Sequence, residues 1–429
     1  MTDQASYDQF RVRGPVSLRG VVKISGAKNA ALAAMCASLL TDEDVVLSNV
    51  PAISDATDIA ELITRIGGAG SQEQGGALRL SGRGVHSTEA PKDLIKRNRA
   101  SFQVMGPLLA RHGHAACPMP GGDSIGQRPI DVHIDGFRAL GAEVDWSGDR
   151  WVASAPRGLR GAQIFMDYPS VSGTQNVLMA AVLAKGHSVI ANAATEPEVR
   201  DLAELLRVMG ANISGIGTQW IEVEGVPALR GAAWSVMPDR IEAGTFAAAA
   251  AATSGTVRIE GAPIASMEAP LAKIAAAGAT VTRDGDAIAI GPGRSPLDAI
   301  HLQALPYPGL PTDLQAQMTA MLTQAKGESH IFERVFDNRL LYVDELRKMG
   351  ADITVAQTRS AAVVRGPTRL HGTRVFALDV RAGAAVLLAA LVAEGTTVIE
   401  DIYHLDRGYE RLEEKLRGLG VEVERVHGV

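Results

Sequence analysis

The pattern of apolar and polar positions along this chain repeats with a long period. A segment with apolar residues at helical spacing ends six times in an apolar residue followed by glycine, and a short strand-like run comes next. The repeated glycines are Gly67, Gly141, Gly210, Gly278, Gly350 and Gly420. Their spacing ranges from 68 residues (278 − 210) to 74 residues (141 − 67). The chain therefore contains six copies of one supersecondary unit of about 70 residues.

Each copy predicts the same order of elements. An apolar helix comes first, and a β-rich run such as 188–192 follows it in most copies. An amphipathic helix comes next, and the repeated glycine lies where the C-cap of that helix belongs. The clearest apolar helices are 30–40, 177–184, 246–252 and 384–393. Helices that are apolar on all sides must be buried, so we expect an α/β fold with the helices inside and the sheets outside.

Six copies in 429 residues favour two lobes of three copies each. The boundary is predicted near 235–239, where Pro238 interrupts the pattern just before a new helix signal. The strand-like pattern at 16–24 belongs to no complete copy of the first lobe, so we assign it to the second. The predicted lobes are 28–236, and 1–27 together with 237–429. The chain would then cross between the lobes twice, with Lys28 at a hinge.

Composition narrows the class of protein. Hydrophobic residues make up 46% and charged residues 21%, as in a globular protein. The net charge of −6 argues against a general nucleic-acid surface, so an anionic ligand must be met by locally placed Arg and Lys. Cys36 and Cys117 form no disulfide framework, and the apolar run 382–393 is shorter than the ~20 residues that span a bilayer. We expect a cytoplasmic protein without nucleic-acid or membrane partners.

One loop, 118–128, carries candidate chemistry. The turn Pro120-Gly121-Gly122 precedes Asp123, and Arg128 follows five residues later. A carboxyl group on a glycine-hinged loop near a guanidinium suits a site that closes over an anionic ligand. On local chemistry alone, a surface loop with an incidental Asp and Arg is equally compatible.

Six motifs in this order resemble the enolpyruvyl transferase family, in the branch that acts on UDP-N-acetylglucosamine. They are SGAKNA (25–30), RAS (99–101), PGG (120–122), IGQRPID (125–131), PTDLQAQ (311–317) and DRGYER (406–411). The resemblance extends over essentially the whole chain and implies a two-lobed inside-out α/β barrel built from six repeats. The Asn-Ala-Gly-Thr type of phosphate loop of the sister enzyme, 5-enolpyruvylshikimate-3-phosphate synthase, does not occur in the sequence.

The resemblance implies an addition–elimination reaction at the first committed step of peptidoglycan synthesis, and hence a part in cell-wall formation. The 3′-hydroxyl of UDP-N-acetylglucosamine attacks C2 of phosphoenolpyruvate while C3 is protonated; the C3 proton and phosphate then leave. Such chemistry needs a base, an acid, and cations for the carboxylate and phosphate. No metal and no organic cofactor is implied.

The resemblance also assigns roles to individual residues. Lys28, Arg128 and Arg407 match the phosphoenolpyruvate ligands, and Arg381 matches a further cation. Asp313 matches the carboxylate beside the acceptor hydroxyl, and Asp123 takes the loop position of the proton donor. The matched nucleotide-sugar contacts are Asn29, Arg99, Pro129, Ile130, Asp131, Val132, Ser170, Val171 and Val335. Because these residues are divided between the predicted lobes, the site is expected in the cleft, completed when the lobes close.

Three positions depart from the family pattern. The loop residue that is commonly cysteine is Asp123, and Cys117 lies six positions too early to replace it. A carboxylic acid can still deliver a proton to C3. Tyr168 stands where some relatives carry a base, and Ser172-Gly173 replaces the usual Gly-Ala. The last two departures bear on the nucleotide contacts and hence on the acceptor.

Two alternatives stay open. One is enolpyruvyl transfer to another uridine nucleotide in secondary metabolism. The other is a non-catalytic nucleotide-sugar-binding protein that retains the fold. Phosphate release with phosphoenolpyruvate and a panel of uridine nucleotides would distinguish them.

Overall fold

A computed structural model of the protein describes residues 8–73, 75–122, 126 and 129–428. The described residues form two compact units. The first unit comprises residues 26–122 and 129–237, and the second comprises 8–25, Gly126 and 238–428. The boundaries lie within two residues of the predicted lobe limits, but Gly126 groups with the second unit, whereas its loop was predicted in the first lobe.

The helices and strands of the described residues follow in chain order. The α-helices are α1 (Lys28–Ala37), α2 (Ser54–Arg65), α3 (Lys92–Arg97), α4 (Met105–His112), α5 (Asp131–Ala139), α6 (Val171–Ala181), α7 (Pro197–Val208), α8 (Arg240–Ala252), α9 (Glu268–Ala276), α10 (Thr312–Leu322), α11 (Tyr342–Lys348), α12 (Val380–Val392), α13 (Tyr403–Asp406) and α14 (Leu412–Gly418). The strands are β1 (Gln9–Gly14), β2 (Arg19–Lys23), β3 (Val45–Ser48), β4 (Ala69–Gln72), β5 (Leu78–Ser81), β6 (His114–Pro118), β7 (Glu143–Ser147), β8 (Arg150–Ser154), β9 (Gln163–Phe165), β10 (His187–Ala191), β11 (Asn212–Ser214), β12 (Trp220–Glu224), β13 (Ala232–Ser235), β14 (Thr256–Glu260), β15 (Thr280–Asp284), β16 (Ala287–Gly291), β17 (Leu297–Asp298), β18 (Leu302–Ala304), β19 (Ala325–Glu333), β20 (Asp352–Val355), β21 (Ala361–Gly366), β22 (Arg374–Phe376), β23 (Gly395–Glu400) and β24 (Glu422–Val426).

The first unit is organised around three buried helices, α1, α4 and α6, which belong to one hydrophobic core. Three sheets cover this core, with strand orders β13-β3-β5-β4, β6-β8-β7 and β11-β12-β10-β9. In the β11-β12-β10-β9 sheet, the strand register brings buried side chains to one face. Ile164, Ile190 and Ile221 lie opposite one another and are buried, as expected for a sheet with one face on the core.

The second unit repeats this design around the buried helices α8, α10 and α12. Its sheets have strand orders β15-β16-β14-β2, β17-β19-β21-β20 (with β18 also paired to β19) and β22-β23-β1-β24. The N-terminal strands complete two of these sheets, because β2 pairs in parallel with β14 and β1 lies between β23 and β24. Helices inside and sheets outside, in six copies, confirm the predicted inside-out α/β barrel class.

The six repeated glycines end the outer amphipathic helices by one shared geometry. All six have positive φ, from 89° at Gly420 to 106° at Gly210. In each copy the glycine N–H donates to the carbonyl three residues earlier, and the next N–H donates to the carbonyl five residues before it. This pair of bonds is the Schellman motif, which satisfies carbonyls left over at a helix end. The predicted C-caps are therefore confirmed in all six copies.

Two glycine substitutions should change stability in opposite directions. At Gly210 a Cβ meets nothing within 4 Å, so Gly210→Ala tests the positive φ alone and should destabilise by about 1–2 kcal/mol. The matched control is Gly418 in α14, which is exposed, has no positive φ and has equally open surroundings. Gly418→Ala should raise stability by up to about 1 kcal/mol through helix propensity. Thermal unfolding compares the two variants, and equal shifts would contradict the φ argument.

Candidate functional site

The predicted site residues of the first unit lie at the N-terminal ends of its inner helices. Lys28 and Asn29 begin α1, and Arg99 begins the 3₁₀ turn Arg99–Val104 that leads into α4. Ser170 caps α6 with its hydroxyl, which accepts from Gly173 N at 3.2 Å, and Val171 is the first helical residue. α1 and α6 both pack against the 3₁₀ turn that Arg99 begins. Helix N-termini present unpaired N–H groups that favour anions.

Lys28 is held by an acid that the sequence analysis missed. Its Nζ lies 2.6 Å from Asp55 Oδ2, and both side chains are buried. The backbone carbonyl of Asp55 accepts from Asn98 Nδ2 at 3.3 Å, and the Asn98 side chain caps the turn that begins at Arg99. Asp55 thus connects two predicted ligands. In the sequence, Asp55 looks like an ordinary acid in the first turn of α2.

The predicted nucleotide-sugar segment 129–132 is fixed by two side chains from other elements. Tyr168 Oη donates to Asp131 Oδ1 at 2.7 Å, and Arg99 Nη2 donates to the Pro129 carbonyl at 3.2 Å. Ile130 and Val132 are buried beside Asp131, which begins α5. Burial and the neighbouring Asp131 raise the pKa of Tyr168 above its usual range. Tyr168 is therefore a neutral hydrogen-bond donor where some relatives carry a base.

A buried histidine explains a second departure from the family pattern. His133 Nδ1 lies 3.0 Å from Asn176 Nδ2, and its Nε2 lies 3.3 Å from Ser172 Oγ. Burial, helped by the charge of Arg99, lowers the pKa of His133 to about 3, so the ring is neutral. Since the amide of Asn176 donates to Nδ1, the proton lies on Nε2 and is donated to Ser172. The unusual serine satisfies a buried N–H.

In the second unit, Asp313 lies between two buried guanidinium groups. Arg339 Nη2 is 3.0 Å from its Oδ1, and Arg381 Nη2 is 3.1 Å from its Oδ2. The exposed fractions of the two arginines are 4% and 5%. Burial alone would raise the pKa of Asp313, but the charges of Arg381 and Arg339 prevail and hold it well below its usual range. Asp313 is therefore ionised, and Arg339 is a site residue that the sequence analysis missed.

Arg381 lies in the first turn of α12, where Asp379 caps the helix through the N–H groups of Arg381 and Ala382. Its guanidinium carbon is 5.6 Å from the centre of the Tyr409 ring. Its Nη1 has no hydrogen-bond partner among the described residues. A Cβ added at Gly408 would lie 3.8 Å from that Nη1, which places it beside the segment that carries Arg407. A buried donor without a partner indicates an absent acceptor.

The remaining predicted residues are distributed as follows. Val335 follows β19 and its side chain is 39% exposed. Asp123 and Arg128 lie outside the described residues. Within 8–73, 75–122 and 129–428, no group of three or more His, Cys, Asp or Glu is placed to hold a metal ion. Over the same described residues, no helix is long and apolar enough to cross a membrane.

Comparison with known proteins gives consistent similarities. Residues 12–416 match the family model described as EPSP synthase (3-phosphoshikimate 1-carboxyvinyltransferase). The UDP-N-acetylglucosamine 1-carboxyvinyltransferase 1 of Caldanaerobacter subterraneus is 48% identical over 97% of this chain and 99% of its own. The UDP-N-acetylglucosamine 1-carboxyvinyltransferase of Magnetococcus marinus is 46% identical over 98% and 99%. The crystal structure of the enolpyruvyl transferase NikO from Streptomyces tendae has a TM-score of 0.88 at 24% identity, covering 99% of this chain and all of that one, which shows the fold.

Proposed function

This chain belongs to the enolpyruvyl transferase family, and from that premise we propose that it transfers the enolpyruvyl group of phosphoenolpyruvate to the 3′-hydroxyl of UDP-N-acetylglucosamine, releasing phosphate. The acceptor follows from the names of its nearly full-length relatives. The observation that best supports this chemistry is Arg381, a buried cation whose Nη1 has no hydrogen-bond partner among the described residues, beside an ionised Asp313. A cation for an anionic substrate and a carboxylate for a hydroxyl proton are what this reaction requires.

In the proposed mechanism the acceptor oxygen bonds to C2 of phosphoenolpyruvate while Asp313 takes the hydroxyl proton. C3 receives a proton from Asp123, which gives a tetrahedral adduct. C3 then returns a proton to the Asp123 carboxylate while the bond between C2 and the phosphate oxygen breaks, so the enol ether forms and phosphate leaves with the proton that Asp313 had taken. Lys28, Arg128, Arg381 and Arg407 would neutralise the carboxylate and phosphate charges.

The other assigned residues would hold the nucleotide sugar. Asn29, Ser170 and Val171 offer side chains and N–H groups at helix N-termini, which suit the diphosphate. The segment 129–132 offers a surface whose shape is fixed by Arg99 and Tyr168. Val335 offers an exposed apolar side chain. Because both cysteines are free and buried, the proposal includes a reducing compartment, the cytoplasm.

A panel assay tests this function. Purified protein with phosphoenolpyruvate and UDP-N-acetylglucosamine should release phosphate, and other uridine nucleotides should do so much more slowly. Faster phosphate release with another uridine nucleotide would favour enolpyruvyl transfer to that nucleotide, the alternative that the unusual Tyr168 and Ser172 support. Binding without phosphate release from any acceptor would indicate a non-catalytic relative.

Tyr168→Phe should raise KM for UDP-N-acetylglucosamine about tenfold, because a hydrogen bond to a charged carboxylate is worth about 1.5 kcal/mol or more. KM for phosphoenolpyruvate should stay within about twofold. Steady-state kinetics with each substrate varied in turn makes the measurement. Asp131→Asn provides the partner variant. If the hydrogen bond between Tyr168 and Asp131 causes the effect, the double variant should have a KM for UDP-N-acetylglucosamine no higher than that of the more affected single variant. Additive effects of the two substitutions would contradict the pairing.

A further inference from the structure

A buried carboxylate next to the proposed base is not used by the mechanism. Glu333 ends β19 and only 2% of it is exposed. Its Oε1 accepts from the backbone N–H groups of Val335 and Phe336, at 2.8 and 3.2 Å. Its Oε2 accepts from Thr312 Oγ1 at 2.9 Å. Thr312 begins α10 and immediately precedes Asp313. One side chain therefore ties the turn after β19 to the helix end that carries the base.

The loop that Glu333 begins is fixed to the same helix end a second time. Arg339, six residues later, binds Asp313 Oδ1 at 3.0 Å. The guanidinium carbon of Arg339 also lies 5.7 Å from the centre of the Phe336 ring, and Phe336 N–H is one of the donors to Glu333. Loop 334–338 is thus connected to residues 312 and 313 at both of its ends. A shift of the loop must disturb the position of Asp313.

The loop presents an apolar side chain close to the base. Val335 is 39% exposed although it is a large hydrophobic residue, and its backbone is held by Glu333. A base must come within about 2.6–3.2 Å of the hydroxyl from which it takes the proton, so the acceptor sugar has to lie against this helix end. Glu333 therefore fixes the separation between the acceptor's contact surface and the base that acts on it.

We propose that Glu333 is a positioning residue for the acceptor: through its bonds to Thr312 and to the Val335 turn, it holds the loop that contacts UDP-N-acetylglucosamine in register with Asp313. This role rests on the proposed function. It predicts a higher KM for the acceptor and an almost unchanged KM for phosphoenolpyruvate. A purely structural buried acid would lower stability without distinguishing between the two substrates.

Thr312→Val gives the cleanest test, because it removes one hydroxyl and keeps the side-chain shape. We expect KM for UDP-N-acetylglucosamine to rise about tenfold, with KM for phosphoenolpyruvate within about twofold and a melting temperature lower by a few degrees, because Glu333 Oε2 loses a donor. Thr358→Val is the matched control, since Thr358 Oγ1 lies 2.9 Å from Ser360 Oγ in an exposed turn of the same unit; both KM values and the melting temperature should stay unchanged. Glu333→Ala should reproduce the acceptor effect with a larger loss of stability.

A double variant and a binding measurement complete the test. If the bridge between Glu333 and Thr312 carries the effect, Thr312→Val should add nothing further to Glu333→Ala. An unchanged acceptor KM in Thr312→Val, or an equal rise for both substrates, would overturn the positioning role. Titration calorimetry with UDP-N-acetylglucosamine alone tests the positioning role separately from the proposed enolpyruvyl transfer. If neither the natural protein nor any variant releases phosphate, the proposed function fails. Weaker binding of UDP-N-acetylglucosamine by Thr312→Val would still support the positioning role.

Discussion

Asp313→Ala should lower turnover by about 10²–10⁴-fold, the usual worth of a positioned base. The structure adds a second cost, since Asp313 is the shared anion of the buried cations Arg339 and Arg381. Removing one partner from a buried ion pair destabilises by about 3–5 kcal/mol. The loss of activity must therefore be measured at a temperature at which circular dichroism shows the variant folded. Asp313→Asn, which keeps the shape, separates loss of charge from loss of volume.

The low pKa of Asp313 also predicts how stability depends on pH. A carboxyl whose pKa is lower in the folded than in the unfolded state contributes stability at pH values above its unfolded pKa, which is about 3.9 for Asp. That contribution is lost as the pH falls through the folded pKa, which lies below the usual range. The stability lost in Asp313→Ala should therefore be constant from pH 5 to 8 and shrink in strong acid. Near-normal turnover of a folded Asp313→Ala at pH 7 would refute the assignment as base.

A carboxylate held by two guanidinium groups is a weak base, because the best base has a pKa near the working pH. A change in the ion pair between Arg381 and Asp313 would make the carboxylate a stronger base. The Nη1 of Arg381, which has no hydrogen-bond partner within the part of the chain that the structure describes, lies beside Gly408, so an anionic substrate that draws Arg381 away from Asp313 would raise the pKa of the carboxyl. Binding of phosphoenolpyruvate would then both supply the substrate and strengthen the base.

The sequence predicted the repeat because its signal is local. A glycine at a helix end with φ near 100° has a backbone requirement that other residues meet poorly, so it recurs in all six copies. Helix starts were predicted less well. The apolar pattern placed two of them at 177 and 384, whereas the helices begin at Val171 and Val380. Their first turns carry polar residues such as Ser172 and Arg381, which a search for apolar positions cannot see.

The ion pairs between charged residues far apart in the chain escaped the sequence analysis. Arg339 and Arg381 are 26 and 68 residues from Asp313, so only the fold brings them together. Asp55 and Glu333 look in the sequence like surface acids, since nothing local distinguishes a buried charge from a solvated one. The family resemblance supplied Lys28, Asp313 and Arg381 but gave no reason for their positions. In the structure each of the three lies in the first turn of a buried inner helix, α1, α10 or α12.

The second large prediction concerns the proposed proton donor, Asp123, and the response of the protein to fosfomycin. This epoxide, used against the family, alkylates the loop thiolate, a far stronger nucleophile than a carboxylate. By the resemblance that position corresponds to Asp123 in this chain, and the two cysteines cannot substitute. Both are fully buried; burial raises the pKa of Cys36 to about 12 and that of Cys117 beyond the usual range. The natural protein should therefore keep its activity in the presence of the drug.

Asp123→Cys should convert the protein to a sensitive one, with irreversible loss of activity and a mass increase at the introduced thiol. Asp123→Ser is the control, since it has neither an acidic group nor a reactive nucleophile; it should be slow and free of adduct. The same exchange should move the pH profile. Free Asp titrates near ~3.9 and free Cys near ~8.5, so a cysteine donor keeps its proton to higher pH. The limb of the kcat profile on which the donor loses its proton should move to higher pH in Asp123→Cys. An adduct at Asp123 in the natural protein, or an active Asp123→Cys variant that resists the drug, would place the proton donor elsewhere.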